Sequence, residues 1–157
     1  LRLVGSEMCI RDSIINPRLT KTYRNLEHYG NPEKILSDVE KQIRRRILLQ
    51  TKTLILTPRY LVELSDDICA IIPLPEVLWI YDHAAMRRTI KGRQLSYTIH
   101  VVTMKGEEYT LTGKSHREVS AIYHELNTRY PNFFFGYSKE HQEMVQYVLH
   151  EMKNEKA

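Results

Sequence analysis

The sequence predicts an α+β protein: a helical hairpin, an antiparallel sheet, and two further helices. Three observations predict it. Apolar residues recur at three- and four-residue steps before residue 47 and after residue 115. Between those positions the chain turns to β-branched and aromatic runs of strand length. Pro, Gly or Asp separates the runs.

The elements follow in order. Asn16-Pro17 offers a side-chain cap and a pre-set first helical residue, and Leu19, Tyr23 and Leu26 then mark one face as far as Gly30. Asn31-Pro32 repeats that start signal, with Ile35, Leu36, Val39, Ile43 and Ile47 as the apolar stripe of a helix ending near Arg46. TLILTPRYLVEL, ICAIIPL, VLWIYDH, SYTIHVVTM and EYTLT predict five or six antiparallel strands. Pro58 cannot donate a ladder hydrogen bond and predicts a bend or edge position within the first long strand pair. Met104-Lys105-Gly106-Glu107 predicts a hairpin turn. On the strand before it, Tyr97, Ile99, Val101 and Thr103 are expected to face inward. Ser115-His116-Arg117-Glu118 has capping-box spacing and starts a helix with Val119, Ile122, Leu126 and Tyr130 on one face, ending before Pro131. PNFFFGYS is a short apolar segment, and Ser138 caps a last helix that buries Met144, Val148, Leu149 and Met152.

The 157 residues, 42% hydrophobic and 27% charged, argue against collagen-like, disordered and membrane-spanning classes. Twenty-three basic against nineteen acidic residues leave +4, too little for a dedicated nucleic-acid binder, so no nucleic-acid partner is expected. Residues 3–13, LVGSEMCIRDS, resemble a translated sequencing-library adapter and are set aside from the fold. On that reading Cys69 is the one native cysteine, which excludes an intrachain disulfide or a cysteine metal cluster.

TLILTPRYLVEL, IIPLPEVLWIY, SYTIHVVTMKGEEYTLTG and SHREVSAIYHELNTRY together resemble bacterial pleckstrin-homology-like domains over roughly residues 47–130. The resemblance implies an open antiparallel barrel plugged by the helix that starts at Ser115. It divides the chain into a helical hairpin (14–46), the barrel domain (47–137) and a C-terminal helix with its tail (138–157). The flanking LxxTYRNLEHYGNPEKILSDVEKQI and FFFGYS segments resemble uncharacterised bacterial proteins that join a membrane anchor to such a domain. They imply an anchor upstream of Ile14 and a place at the inner face of the cell membrane. No basic signature stands at the first strand pair, where phosphoinositide-binding members carry theirs, so lipid binding is not inherited from the fold.

Candidate sites remain. Arg87, Arg88, Lys91 and Arg93 crowd MRRTIKGRQ and suit an anionic ligand or lipid; the alternative is a solvated hairpin tip. Arg44, Arg45 and Arg46, with Lys41 nearby, complement a helix C-terminus. Phe133, Phe134 and Phe135 await either the last helix or a partner as cover. Trp79, Ile122 and Leu126 are expected in the core. His116 and His124 could share a helical face but lack a third ligand at metal-site spacing, so neither metal nor cofactor is expected. Asp82 and His83 could form an acid/base pair only if Ser96 or Cys69 supplied a nucleophile. No glycine-rich phosphate loop, GxSxG or CxxC occurs. The expectation is therefore a non-catalytic binding or scaffolding module of a membrane-associated bacterial protein. A protein-interaction module without lipid contact is the alternative, and an enzyme with a site near Asp82 and His83 is the third reading.

Overall fold

The computed structural model describes Thr22, residues 24–64 and residues 69–155. The adapter-like stretch, the helix start at Asn16-Pro17 and the side chain of Cys69 lie outside the described residues. Two compact units divide after Pro75, within the span expected to be a single barrel domain.

In the first unit, helical residues 24–27 lead to Gly30 and then to helix α1 (Pro32–Arg45). The Asn31 side chain accepts a hydrogen bond from the Glu33 N–H at 3.0 Å, satisfying a donor that a helix start leaves unpaired. Arg44 and Arg45 occupy the last turn, where cations complement the exposed carbonyls. Four strands follow, β1 (Leu49–Gln50), β2 (Leu54–Leu56), β3 (Tyr60–Leu64) and β4 (Cys69–Pro73), paired antiparallel in sequence order. Strand alternation splits their side chains between two faces. Ile55, Tyr60, Val62 and Ile71 form one cluster with Leu26 and with Leu36, Val39 and Ile43 of α1. Leu54, Leu56, Leu61 and Ile72, on the opposite face, are buried as well. Pro58 marks a bend within the first strand pair, as expected. It sits in the turn that separates β2 from β3, where the Thr57 N–H donates to the Tyr60 carbonyl and the Tyr60 N–H donates to Thr57 Oγ1.

After the 3-10 turn Leu74–Glu76, the second unit is built on a long hairpin, β5 (Val77–Thr89) with β6 (Gly92–Thr103). Strand β7 (Glu108–Lys114) continues the meander through a turn in which Gly106 has φ +82° and its N–H donates to the Thr103 carbonyl. Helix α2 (His116–Arg129) starts with the expected capping box, Ser115 and Glu118 each satisfying the other's backbone N–H. The PNFFFGYS segment contributes a short strand, β8 (Phe134–Phe135), parallel to β5. Helix α3 (Lys139–Glu155) ends the described chain.

Both faces of this sheet are covered. Ile80, Ile99, Val101 and Leu111 are buried on the face that carries α2 with Val119, Ile122 and Leu126. The opposite face packs Trp79 and Val102 against Val145, Val148 and Leu149 of α3. Val102, outside the expected inward set, is therefore buried too, because a second helix covers its side. The fold class is α+β, but the strands make two four-stranded sheets, ordered β1-β2-β3-β4 and β7-β6-β5-β8, and the sheets are not closed into a barrel.

Candidate functional site

The β5–β6 hairpin outruns its neighbours. Strand β8 pairs with β5 only at Trp79 and Ile80, and β7 leaves β6 at the Tyr97–Lys114 pair. From Ala84 and Ser96 outward the register continues as a two-stranded arm to the Thr89–Gly92 pair, with Ile90 and Lys91 at its tip. Alternation places Ala84, Met86 and Arg88 with Arg93, Leu95 and Tyr97 on one face, and Ala85, Arg87 and Thr89 with Gly92, Gln94 and Ser96 on the other.

The arm holds all four cations expected to meet an anionic ligand. Arg87, Arg88, Lys91 and Arg93 are exposed and have no ion-pair partner among the described residues. The sequence from His83 to His100 contains no Asp or Glu. Sequence reasoning missed the apolar companions of this charge: Ile90 is fully exposed at the tip, and the cross-strand pair Met86 and Leu95 is 65% and 55% exposed. A hairpin turn placed at Ile90-Lys91 would have revealed that pair, since the register follows from the turn.

A polar strip crosses the root of the arm, on the face that carries Trp79. Tyr81 donates to Glu108 Oε1 at 3.1 Å. Nδ1 of His100 lies 3.2 Å from the same oxygen, within ion-pair distance but without hydrogen-bond alignment. Its Nε2 faces Nδ1 of His83 at 3.0 Å. Tyr81 and His83 stack on either side of the His100 ring, at centroid distances of 4.7 and 4.9 Å. Burial, reinforced by Glu108, pushes the Tyr81 phenol up to about 12. Such a strip can share a proton between its imidazoles. Among the described residues, the side-chain hydrogen bonds and ion-pair contact of this strip join Tyr81, His83, His100 and Glu108 to one another.

The expected Asp82–His83 pair is not brought together. Consecutive strand residues point to opposite faces, and Asp82 instead accepts a hydrogen bond from the Tyr123 hydroxyl of α2 at 2.5 Å. Burial and this bond push the Tyr123 phenol well above its ordinary range. The three phenylalanines find partners within the unit. Phe133 stacks on Tyr130, Phe134 joins the cluster around Val145, and Phe135 meets the edge of Tyr123, leaving all three half-buried. Trp79 is 5% exposed and donates from Nε1 to the Gly136 carbonyl at 2.9 Å. His116 packs edge-on against Tyr97, and no group of three or more His, Cys, Asp or Glu among the described residues could hold a metal ion. In the first unit, Lys41, Arg45 and Arg46 line a cavity of about 230 Å³ with Asp38, Gln42 and Pro58.

No helix among the described residues is long and apolar enough to cross a membrane. No curated protein and no solved structure matches the chain. The model of a family described as a domain of unknown function, DUF6709, matches residues 31–145, from the cap of α1 into α3, and the chain belongs to that family.

Proposed function

We propose that this chain is a non-catalytic binding module whose β5–β6 arm attaches it to an anionic lipid surface at the inner face of a bacterial membrane. The pleckstrin-homology-like likeness of residues 47–130 is part of the same reading, with the sheets as a scaffold for the arm. The observation that carries it is four cations without an ion-pair partner among the described residues and three exposed apolar side chains on one ribbon. Cations near an anionic leaflet each strengthen attachment by roughly fivefold, and an apolar tip gains by leaving water for the acyl boundary. A basic two-stranded ribbon also fits the major groove of duplex DNA. Phosphate contacts give no reward to Ile90, Met86 or Leu95, and residues 84–96 offer no aromatic ring for a base to stack on.

Co-sedimentation with phosphatidylcholine vesicles, with and without phosphatidylglycerol, tests the proposal. Binding should require the anionic lipid, weaken with salt, and fall roughly 10²- to 10³-fold when all four cations become alanine. Ile90→Asp should weaken it without lowering the melting temperature, since the side chain is fully exposed. Indifference to anionic lipid, or tighter binding to duplex DNA than to vesicles, would refute it.

A further inference from the structure

We infer that the cavity beside the root of the arm is a receptor for a phosphomonoester, the part of an anionic ligand that a smeared surface charge does not distinguish. The inference rests on the arm reading above for its lipid form only. The cavity measures about 240 Å³ and is lined by Arg87, Thr89, Gln94, Ser96, Lys114 and Ser115, with Leu95, Gly113 and Glu118 completing the wall. Four of these, Arg87, Thr89, Gln94 and Ser96, stand on one face of the arm through the register already described. They bring a guanidinium fork, an amide and two hydroxyls to the lining, donor types that phosphate oxygens take.

The groups differ in their availability. The Arg87 guanidinium has no partner among the described residues, whereas Thr89 Oγ1 already donates to the Gly92 carbonyl at 2.9 Å. Lys114 also lines the cavity and is 2% exposed. Glu118 is the acidic lining residue, and its Oε1 is held by the Ser115 N–H at 3.2 Å. The volume lies below the ~300–1,000 Å³ of pockets for drug-sized ligands, which suits a headgroup-sized molecule.

Depth supports the assignment. Arg87 stands three residues back from Ile90, roughly 10 Å at about 3.3 Å per strand residue. An interfacial segment buries its apolar part ~5–10 Å into the boundary of headgroups and acyl chains. With Ile90 seated there, Arg87 and Gln94 stand level with the phosphates. Arg93 provides the control: it carries the same charge on the same arm but belongs to the opposite face.

The test is a nuclear magnetic resonance titration of the whole chain with inorganic phosphate and with glycerol phosphate, chloride holding the ionic strength constant. Shifts should localise to Arg87, Gln94, Ser96 and Lys114. Arg87→Ala and Gln94→Ala should weaken binding roughly tenfold each, Arg93→Ala scarcely. Equal losses in Arg87→Ala and Arg93→Ala, or shifts spread evenly over the arm, would overturn the inference in favour of diffuse screening. Vesicles separate the sources. A preference for phosphatidic acid over phosphatidylglycerol at equal surface charge, abolished by Arg87→Ala, identifies a lipid headgroup. Localised shifts without that preference identify a soluble phosphomonoester. Vesicle binding with no phosphate shifts sinks the cavity and leaves the arm reading intact; localised shifts with no vesicle binding do the reverse.

Discussion

Removing the Tyr123 hydroxyl isolates the tie that holds Asp82 on the face opposite His83. In Tyr123→Phe the ring keeps its packing against Phe135, and Asp82 loses the bond it accepts at 2.5 Å. A hydrogen bond to a charged acceptor is worth about 1.5–3 kcal/mol, and the half-exposed Asp82 recovers part of that from water, leaving a loss of about 1–2 kcal/mol. For a chain of this length that lowers the melting temperature by about 2–8 °C. Alkaline titration gives a second readout. The folded protein keeps the Tyr123 proton where an unfolded chain, with an ordinary tyrosine value of about 10, has lost it. The resulting stability is complete below pH ~10 and is lost as pH rises beyond it, because the folded state then binds more protons than the unfolded state. Tyr60, raised by burial and by its bond to Asp38, and Tyr81, raised by burial and Glu108, act in the same direction. Tyr123→Phe should therefore remove one phenol from the late step in ultraviolet absorbance and flatten the alkaline loss of stability. An unchanged melting temperature together with an unchanged late step would refute the assignment.

Two further outcomes concern the scaffold. Ser115→Ala deletes one half of the capping box and should destabilise the chain by ~1 kcal/mol in urea unfolding, with Ser115→Gly milder. Val39→Ala opens a void between α1 and the first sheet at a fully buried position. It should cost about 2–3 kcal/mol in the same measurement, and a loss below that of Ser115→Ala would mean that α1 does not pack as described.

The helices were legible because their signals are local. Asn31-Pro32 and the Ser115–Glu118 box each fix a start within four residues, and both caps form. The strands were legible as apolar runs, but their partners were not. In TLILTPRYLVEL, Pro58 announces a bend, but the turn that Thr57 and Tyr60 close around it is an exchange of hydrogen bonds that no period reports. Phe134-Phe135 is too short to announce itself and becomes a strand only because β5 lies beside it. Asp82 and His83 tempted as neighbours in sequence, although the alternation that separates them was already available from the strand assignment. The strip of Tyr81, His83, His100 and Glu108 spans three strands, so its assembly needed register as well as strand position.

Register also explains why charge alone was an ambiguous guide to the arm. Four cations between two strands describe a soluble hairpin tip as well as a binding surface. The ambiguity narrows with the length of the ribbon. A hairpin serving only to join β5 to β6 could turn where β7 ends, near Tyr97, yet the strands run on to Thr89 and Gly92. An isolated two-stranded ribbon is marginal in water, and this one leaves Met86, Ile90 and Leu95 exposed, where they add little to folding. Shortening the arm by deleting residues 86–95 and rejoining the strands with Asn-Gly should therefore leave the melting temperature within a few degrees of the parent and abolish vesicle binding. A large loss of stability would show that the ribbon serves the scaffold, and the case for an external surface would go with it.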